Sequence, residues 1–235
     1  MNSELDFYNS LELSLKYSES LLEDAVDNAK SIFHTPTLCI SDSPRTVVLR
    51  EYDKENRLLR FHTDLRCKKI KSAEDRSKAY VHSYDSEKKI QLRLTGSVAV
   101  YENDEITRKA WENSRENSKL CYSVKGPPGD SILDPSKYDL NRNDIDIEKG
   151  YKNFAVILFE YHELEFLFLK NIGHRRSKFS SRIFSILPRI SFAALLVKVT
   201  VNKDKGFTPL TDESQATLCV ITFVFPEPAP ARINE

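Results

Sequence analysis

The chain has four cysteines, Cys39, Cys67, Cys121 and Cys219, but no Cys-x-x-Cys pair. That spacing excludes a zinc ribbon or a thioredoxin-type redox motif. Cys39 and Cys219 lie in apolar runs and are expected to be buried thiols. Net charge is lacking too, because 35 basic residues balance 35 acidic ones. This removes the whole-molecule field that would attract nucleic acid. No apolar run reaches the roughly 18 residues of a membrane span. The longest, Ile190 to Val201, is interrupted by Lys198. No charged-then-apolar leader opens the sequence. The expectation is a cytoplasmic protein in a reducing compartment, with neither nucleic acid nor membrane as partner.

What is present is ordinary globular material. The chain has 235 residues, 40% hydrophobic and 30% charged, enough to bury a real core and too apolar for global disorder. Its charge is unevenly spread. Residues 1–30 carry seven acids against Lys16 and Lys30, whereas residues 45–71 carry nine Arg or Lys against four acids.

Along the chain, residues 18–33 place Leu21, Leu22, Ala25, Val26, Ala29 and Phe33 on one face. This predicts an amphipathic helix capped by Ser18 or Ser20 and stopped by Pro36. The period then changes. TLCIS, RTVVLREY, RLLRFHTD, KAYVHSYD and KIQLRLTGSVAVYE are short β-branched or aromatic runs separated by turn residues, and they read as strands. The DKEN stretch reads as a hairpin turn, and residues 66–77 as a short polar, helix-like connection. Residues 103–120 read as a second helix, capped at Asn103 or Asp104 and carrying Ile106, Ala110 and Trp111. Residues 154–169 read as a strand pair bending at His162-Glu163. Meandering strands with few helices predict a mainly β fold, an antiparallel barrel or sandwich. Residues 1–17 are taken as an N-terminal extension, 18–180 as the domain and 181–235 as a tail of unassigned fold.

The informative constellation begins at Arg45-Thr46-Val47-Val48-Leu49-Arg50. On one strand, Arg45, Val47 and Leu49 face one way and Thr46, Val48 and Arg50 the other. His62-Thr63 ends the neighbouring strand, and Cys67-Lys68-Lys69 follows within a turn. A hydroxyl, backbone amides at a helix start and two ammonium groups suit a phosphate monoester. Gln91 and Arg93 then set an amide and a guanidinium on what reads as alternate faces of a central strand; the amide both donates and accepts, as a flavin edge requires. Taken singly, such arginines and lysines only solvate an outer face.

The order of these blocks is what resembles the pyridoxamine 5′-phosphate oxidase family, over residues 20–180 and most strongly over 45–96. The family runs R-x-V-L-L-K, Y-T-N, S-R-K and Q-V-R-x-E-G at nearly these spacings. The resemblance implies an FMN-binding split β-barrel with flanking helices, working as a homodimer whose second chain completes the flavin site. It implies FMN contacts from Arg45, Val47 and Val48, an FMN phosphate held by Thr63, Lys68 and Lys69, and Gln91 at the isoalloxazine edge. His62 stands where the family commonly has Tyr, and Cys67 where it has Ser. Arg50 replaces a substrate-binding Lys, a change of reach and shape. His174 and Arg176, in Gly173-His174-Arg175-Arg176, match part of an R-x-H-x-R substrate element whose first Arg is missing. Ser118 and Lys119 are weaker candidates for the second chain's contribution. The implied substrate is a small molecule, a phosphorylated pyridoxine-type vitamer. The implied reaction passes a hydride to FMN and then to oxygen, with no metal and no identified catalytic residue. The alternative is an FMN-binding protein or flavin reductase without vitamin B6 activity.

Overall fold

The computed structural model describes residues 7–71, 77–129, 146–171 and 173–180, with Ser131, Asp134 and Ser136. The apolar runs expected beyond residue 180 lie outside the described residues.

Helix α1 spans Leu11–Asp27, capped by Ser10, whose Oγ accepts from the Leu13 amide at 3.3 Å. It thus begins well before the expected Ser18 or Ser20. The serines that read as caps are satisfied inside the helix, with Ser14 Oγ donating to the Ser10 carbonyl, Ser18 Oγ to Ser14 and Ser20 Oγ to Tyr17. Such back-bonding lets Ser sit mid-helix. The helix ends at Asp27, eight residues or more before Pro36; Phe33 is buried from a separate 3-10 turn, Ile32–His34. Leu15, Leu21, Leu22 and Ala25 face the core.

The strands are β1 (Thr37–Ile40), β2 (Ser43–Thr46), β3 (Leu49–Asp53), β4 (Leu58–Asp64), β5 (Ser77–Asp85), β6 (Ile90–Tyr101), β7 (Phe154–Phe168) and β8 (Arg175–Ser180). All pairings are antiparallel, in the order β2-β1-β5-β6-β7-β4-β3, with β8 also on β7. This is a curled half-barrel sheet with flanking helices, as expected. RTVVLREY is two strands rather than one. The chain changes partner at Val47-Val48, leaving β1 for β4, and the Val47 amide donates to the Pro36 carbonyl at 3.0 Å. The expected DKEN turn joins β3 to β4, Asp53 accepting from both the backbone and the side chain of Asn56.

Residues 154–168 form one continuous strand instead of a pair. The expected bend is a β-bulge: Thr95 faces Glu163 and Gly96 faces Tyr161, leaving His162 unmatched. The bulge shifts the inward phase from Ile157, Phe159 and Tyr161 to Leu164 and Phe166, all buried. It also divides the far edge of β7, which pairs with β4 over residues 154–160 and with β8 over 163–168.

The main core fills the inside of the curl under α1. A second cluster lies outside, where Ala110 and Trp111 of α3 (Glu105–Glu112) cover Phe154 and Val156. Asp104 caps α3 through a reciprocal box with Thr107. The expected single helix over 103–120 breaks after Glu112; α4 resumes at Glu116–Lys119. Ile106, expected on the apolar face, is 37% exposed. The short connection after β4 contains α2 (Lys68–Lys71). Cys39, expected to be buried, is half-exposed, and Cys219 lies outside the described residues. None of the described helices is long and apolar enough to cross a membrane.

Candidate functional site

The bulge that opens β3 sets up the site. Leu49 pairs with Phe61 and Glu51 with Arg60, so Arg50 is the extra residue between them. A bulge re-aims side chains, and here Arg50 and Glu51 both come opposite Arg60. Glu51 takes Arg60 in an ion pair of 2.6 Å. Two residues along β4, on the same face as Arg60, stands His62, its ring edge-on to Phe154 at 4.9 Å.

Arg50, Arg60 and His62 line an open cleft of about 290 Å³. Its other walls are the end of α1 (Val26, Asp27), His34, and the α3–α4 region with Asn113, Ser114, Arg115 and Ser118. His34 Nδ1 lies 2.6 Å from the Ala25 carbonyl, so that nitrogen donates to the end of α1. Ser114 Oγ donates to the Ala110 carbonyl. Arg50 Nε, Arg60 Nε and His62 Nε2 are buried with no hydrogen-bond partner. Burial, then the charges of Arg60 and Arg50, push the His62 imidazole down to a pKa of about 3. A neutral imidazole between guanidinium groups, with Asp27 the one acid among the lining residues, makes the cleft a place for negative charge.

The other expected residues lie elsewhere on the chain. Thr63 follows His62 but is buried on the opposite face of β4, beside Phe61. Lys68 is exposed at the start of α2. Lys69 is also on α2, and its side chain is outside the described residues. Arg45 is exposed on β2 and donates to the neighbouring Pro44 carbonyl at 2.8 Å. Val47 is buried and Val48 half-buried at the corner between β2 and β3. Gln91 and Arg93, expected on alternate faces, share the outer face of β6, because residues two apart on a strand point the same way. Gln91 lies in a cross-strand row with Tyr84, Leu167 and Arg176. Arg176 is ion-paired with the buried Glu165, and Arg93 lies 3.5 Å from the same carboxylate. His174 Nδ1 accepts from the Lys170 amide at 3.2 Å, closing the turn before β8.

The fold therefore brings Arg50, His62 and Ser118 together, and separately Gln91 with Arg176. Lys119, set beside Ser118 as a candidate, lies with its ammonium 5.4 Å from the Trp111 ring centre. Arg60, Arg115, His34 and Asn113 were not singled out from sequence. Arg60 had a readable signal, since it lies two residues before His62 on a strand. The others reach the cleft through tertiary packing alone.

The curled antiparallel sheet with flanking helices is a split barrel, and its cleft gathers Arg50, Arg60 and Arg115. Residues 18–102 match the family model described as "Pyridoxamine 5'-phosphate oxidase, FMN-binding domain". The match spans 85 of the 235 residues, and over that segment the chain is similar to an FMN-binding domain of that family. Among solved structures, it is similar to a pyridoxamine 5′-phosphate oxidase-related FMN-binding protein from Nostoc punctiforme PCC 73102. The TM-score is 0.57 at 16% identity, over 70% of this chain and 90% of that one. It is also similar to PhzG from Burkholderia lata 383, solved with tetrahydrophenazine-1-carboxylic acid. There the TM-score is 0.53 at 16% identity, over 74% of this chain and 89% of that one. At these identities the likeness establishes the fold. No curated protein matches the chain.

Proposed function

We propose that this chain is an FMN-dependent oxidoreductase of the pyridoxamine 5′-phosphate oxidase type, working as a homodimer. The carrying observation is that Arg45, Val47, Val48, His62, Thr63, Lys68, Lys69 and Gln91 all fall within the segment matched to the FMN-binding domain. The donor set fits the cofactor. Arg45 donates only to an adjacent carbonyl, and Arg50 Nε is buried without a partner, so cationic donors remain for an anionic ligand. Lys68, Lys69 and the α2 amides would hold the phosphate, and Gln91 would meet the polar edge of the ring. When bound, FMN would supply the hydride acceptor and hand the electrons on to oxygen.

The residues of the chain orient and shield. Trp111, Tyr122 and Phe154 pack edge-on behind His62 and keep water from that side of the cleft. Arg50, at the bulge, would hold the anionic end of the substrate. Gln91 and Arg176 are on a part of the outer sheet face that does not line the cleft. A second copy set against that face would bring both groups to one flavin.

A second reading is an FMN-binding protein or flavin reductase without vitamin B6 activity. One observation favours it: both expected C-terminal substrate residues are already engaged, His174 by the Lys170 amide and Arg176 by Glu165.

Absorbance near 450 nm in purified protein tests the main reading, and a colourless protein that rejects added FMN would sink it. Oxygen-dependent formation of pyridoxal phosphate then separates the two readings. Replacing Lys68 and Lys69 together by Ala should weaken FMN binding about tenfold or more, the size of a lost charge-assisted contact. Unchanged affinity in a fluorescence titration would refute their phosphate role.

A further inference from the structure

The chain just ahead of α1 is packed onto the turn that joins β7 to β8. Phe7, in the 3-10 turn Phe7–Asn9, stacks on Tyr17 at 4.4 Å, and its carbonyl accepts from the Ser14 hydroxyl at 2.7 Å. This fixes Tyr8, whose ring stacks on Phe168 at the end of β7, 5.3 Å between centres. The Lys170 ammonium lies 4.5 Å from the Tyr8 ring centre and donates to its hydroxyl at 2.9 Å. The guanidinium of Arg175, the first residue of β8, lies 5.9 Å from the same ring centre. Both cations are within reach of the ring's negative face. One side chain thus touches both arms of the turn. The residues it touches also close the turn: the Lys170 amide donates to His174 Nδ1 at 3.2 Å, and Arg175 Nη1 donates to the Gly173 carbonyl at 3.2 Å.

We propose that Tyr8 is a positioning residue, which through Lys170 sets His174 as a hydrogen-bond donor toward a bound ligand. A backbone amide can only donate, so the bond from Lys170 requires His174 Nδ1 to be unprotonated. The neutral imidazole then carries its proton on Nε2, the nitrogen left for a ligand. A ligand group facing that nitrogen must accept, as a carbonyl or an anionic oxygen does. Gly173, at a φ of 122° that other residues rarely adopt, lets the chain bring His174 back over Lys170. One amide bond on a half-exposed turn would open readily. Tyr8 opposes that opening by holding Lys170 through its hydroxyl and both arms through its ring. The inference rests on the reading that His174 serves the ligand, and adds the state of the ring and the residue that holds it.

Long-range proton–nitrogen correlation NMR of the histidine-labelled full chain reads the His174 tautomer directly. It is run without flavin at about pH 8, where an ordinary imidazole is neutral, and His174→Gln identifies the signal. Wild type should show the Nε2–H form alone. Tyr8→Ala should give a mixture of tautomers and speed exchange of the Lys170 amide about tenfold, the worth of one hydrogen bond, with the β6 amides unchanged. Tyr8→Phe, which keeps the ring contacts but not the hydroxyl, should fall between the two. If Tyr8→Ala does not fold, Lys170→Met, which removes the ammonium alone, takes its place. With pyridoxamine 5′-phosphate as substrate, Tyr8→Ala should raise KM about tenfold and leave kcat and bound FMN within about twofold. The proposal is overturned if wild-type His174 exchanges between tautomers, or if Tyr8→Ala leaves tautomer and exchange rate as they were. An active enzyme whose KM does not change in Tyr8→Ala overturns it as well. A chain without flavin or oxidase activity would sink the functional reading, and the tautomer would still decide the inference.

Discussion

At the residue scale, His62 is the group whose behaviour follows most directly from its surroundings. Its pKa is lowered to about 3 from an ordinary 6.5. The unfolded chain therefore binds a proton there that the folded chain refuses. The stabilisation is fully present above pH 6.5 and is lost as pH falls from 6.5 toward 3. The slope is about 1.4 kcal/mol per unit, so roughly 2 kcal/mol is gone by pH 5. Urea unfolding of wild type and His62→Phe between pH 8 and 5 should show the variant losing less stability by about that amount. Parallel acid profiles would refute the assignment. This much was half legible from sequence. His62 stood out through its place before Thr63 in the strand, but its neutral state depends on Arg50, Arg60 and Phe154. Of these, only Arg60 is near it in the chain.

At the element scale, alternation and turn residues located most strands, because a half-buried sheet imposes a period of two that sequence displays directly. The misreadings have a common cause. The RTVVLREY run is uniformly β-prone, so nothing local marks Val47-Val48 as the corner where the chain leaves β1 for β4. Ser18 and Ser20 have cap chemistry but spend it on carbonyls three or four residues back. The His162 irregularity was visible, but whether it was a turn or a bulge depended on β6. There the deciding residue is Gly96. A Cβ at Gly96 would lie 2.0 Å from the Glu160 carbonyl oxygen and 2.8 Å from the Tyr161 Cα, both backbone atoms that cannot swing aside. Gly96→Ala should therefore push β6 and β7 apart at the bulge and cost about 3 kcal/mol or more. Thermal unfolding checks this, and a melting temperature within a degree of wild type would show that the bulge relaxes freely. The same bulge ends β4 pairing and begins β8 pairing, so the loss should extend to the β8 segment.

At the scale of the whole molecule, the proposed flavin site draws on two groups of residues set apart on the outer face of the sheet. The cleft holds Arg50 and His62, while Gln91 and Arg176 stand in a row on the outer face of β6 and β8. That outer face is not built for water alone. Tyr80 and Tyr84 of β5 are 42% and 40% exposed, and Leu167 is half-buried in the row with Gln91. Around them, Lys78, His82, Arg93 and Lys178 alternate with Glu163 and Glu165. Exposed aromatics within charges of both signs suit a surface that pairs with its own copy, since tyrosine is enriched and self-repulsion avoided at such interfaces. If the second copy completes the flavin site, mass and colour must change together. Light scattering of the wild-type chain should give twice the 27.1 kDa chain mass. Tyr84→Arg, which sets a guanidinium beside Gln91, should shift the mass toward one chain and lower bound FMN in the same fractions. Ile32→Arg, on a residue 50% exposed but off the sheet, should change neither. A wild-type monomer that keeps its yellow colour, or a monomeric Tyr84 variant with undiminished flavin, would mean that one chain suffices, with Gln91 and Arg176 serving only the sheet.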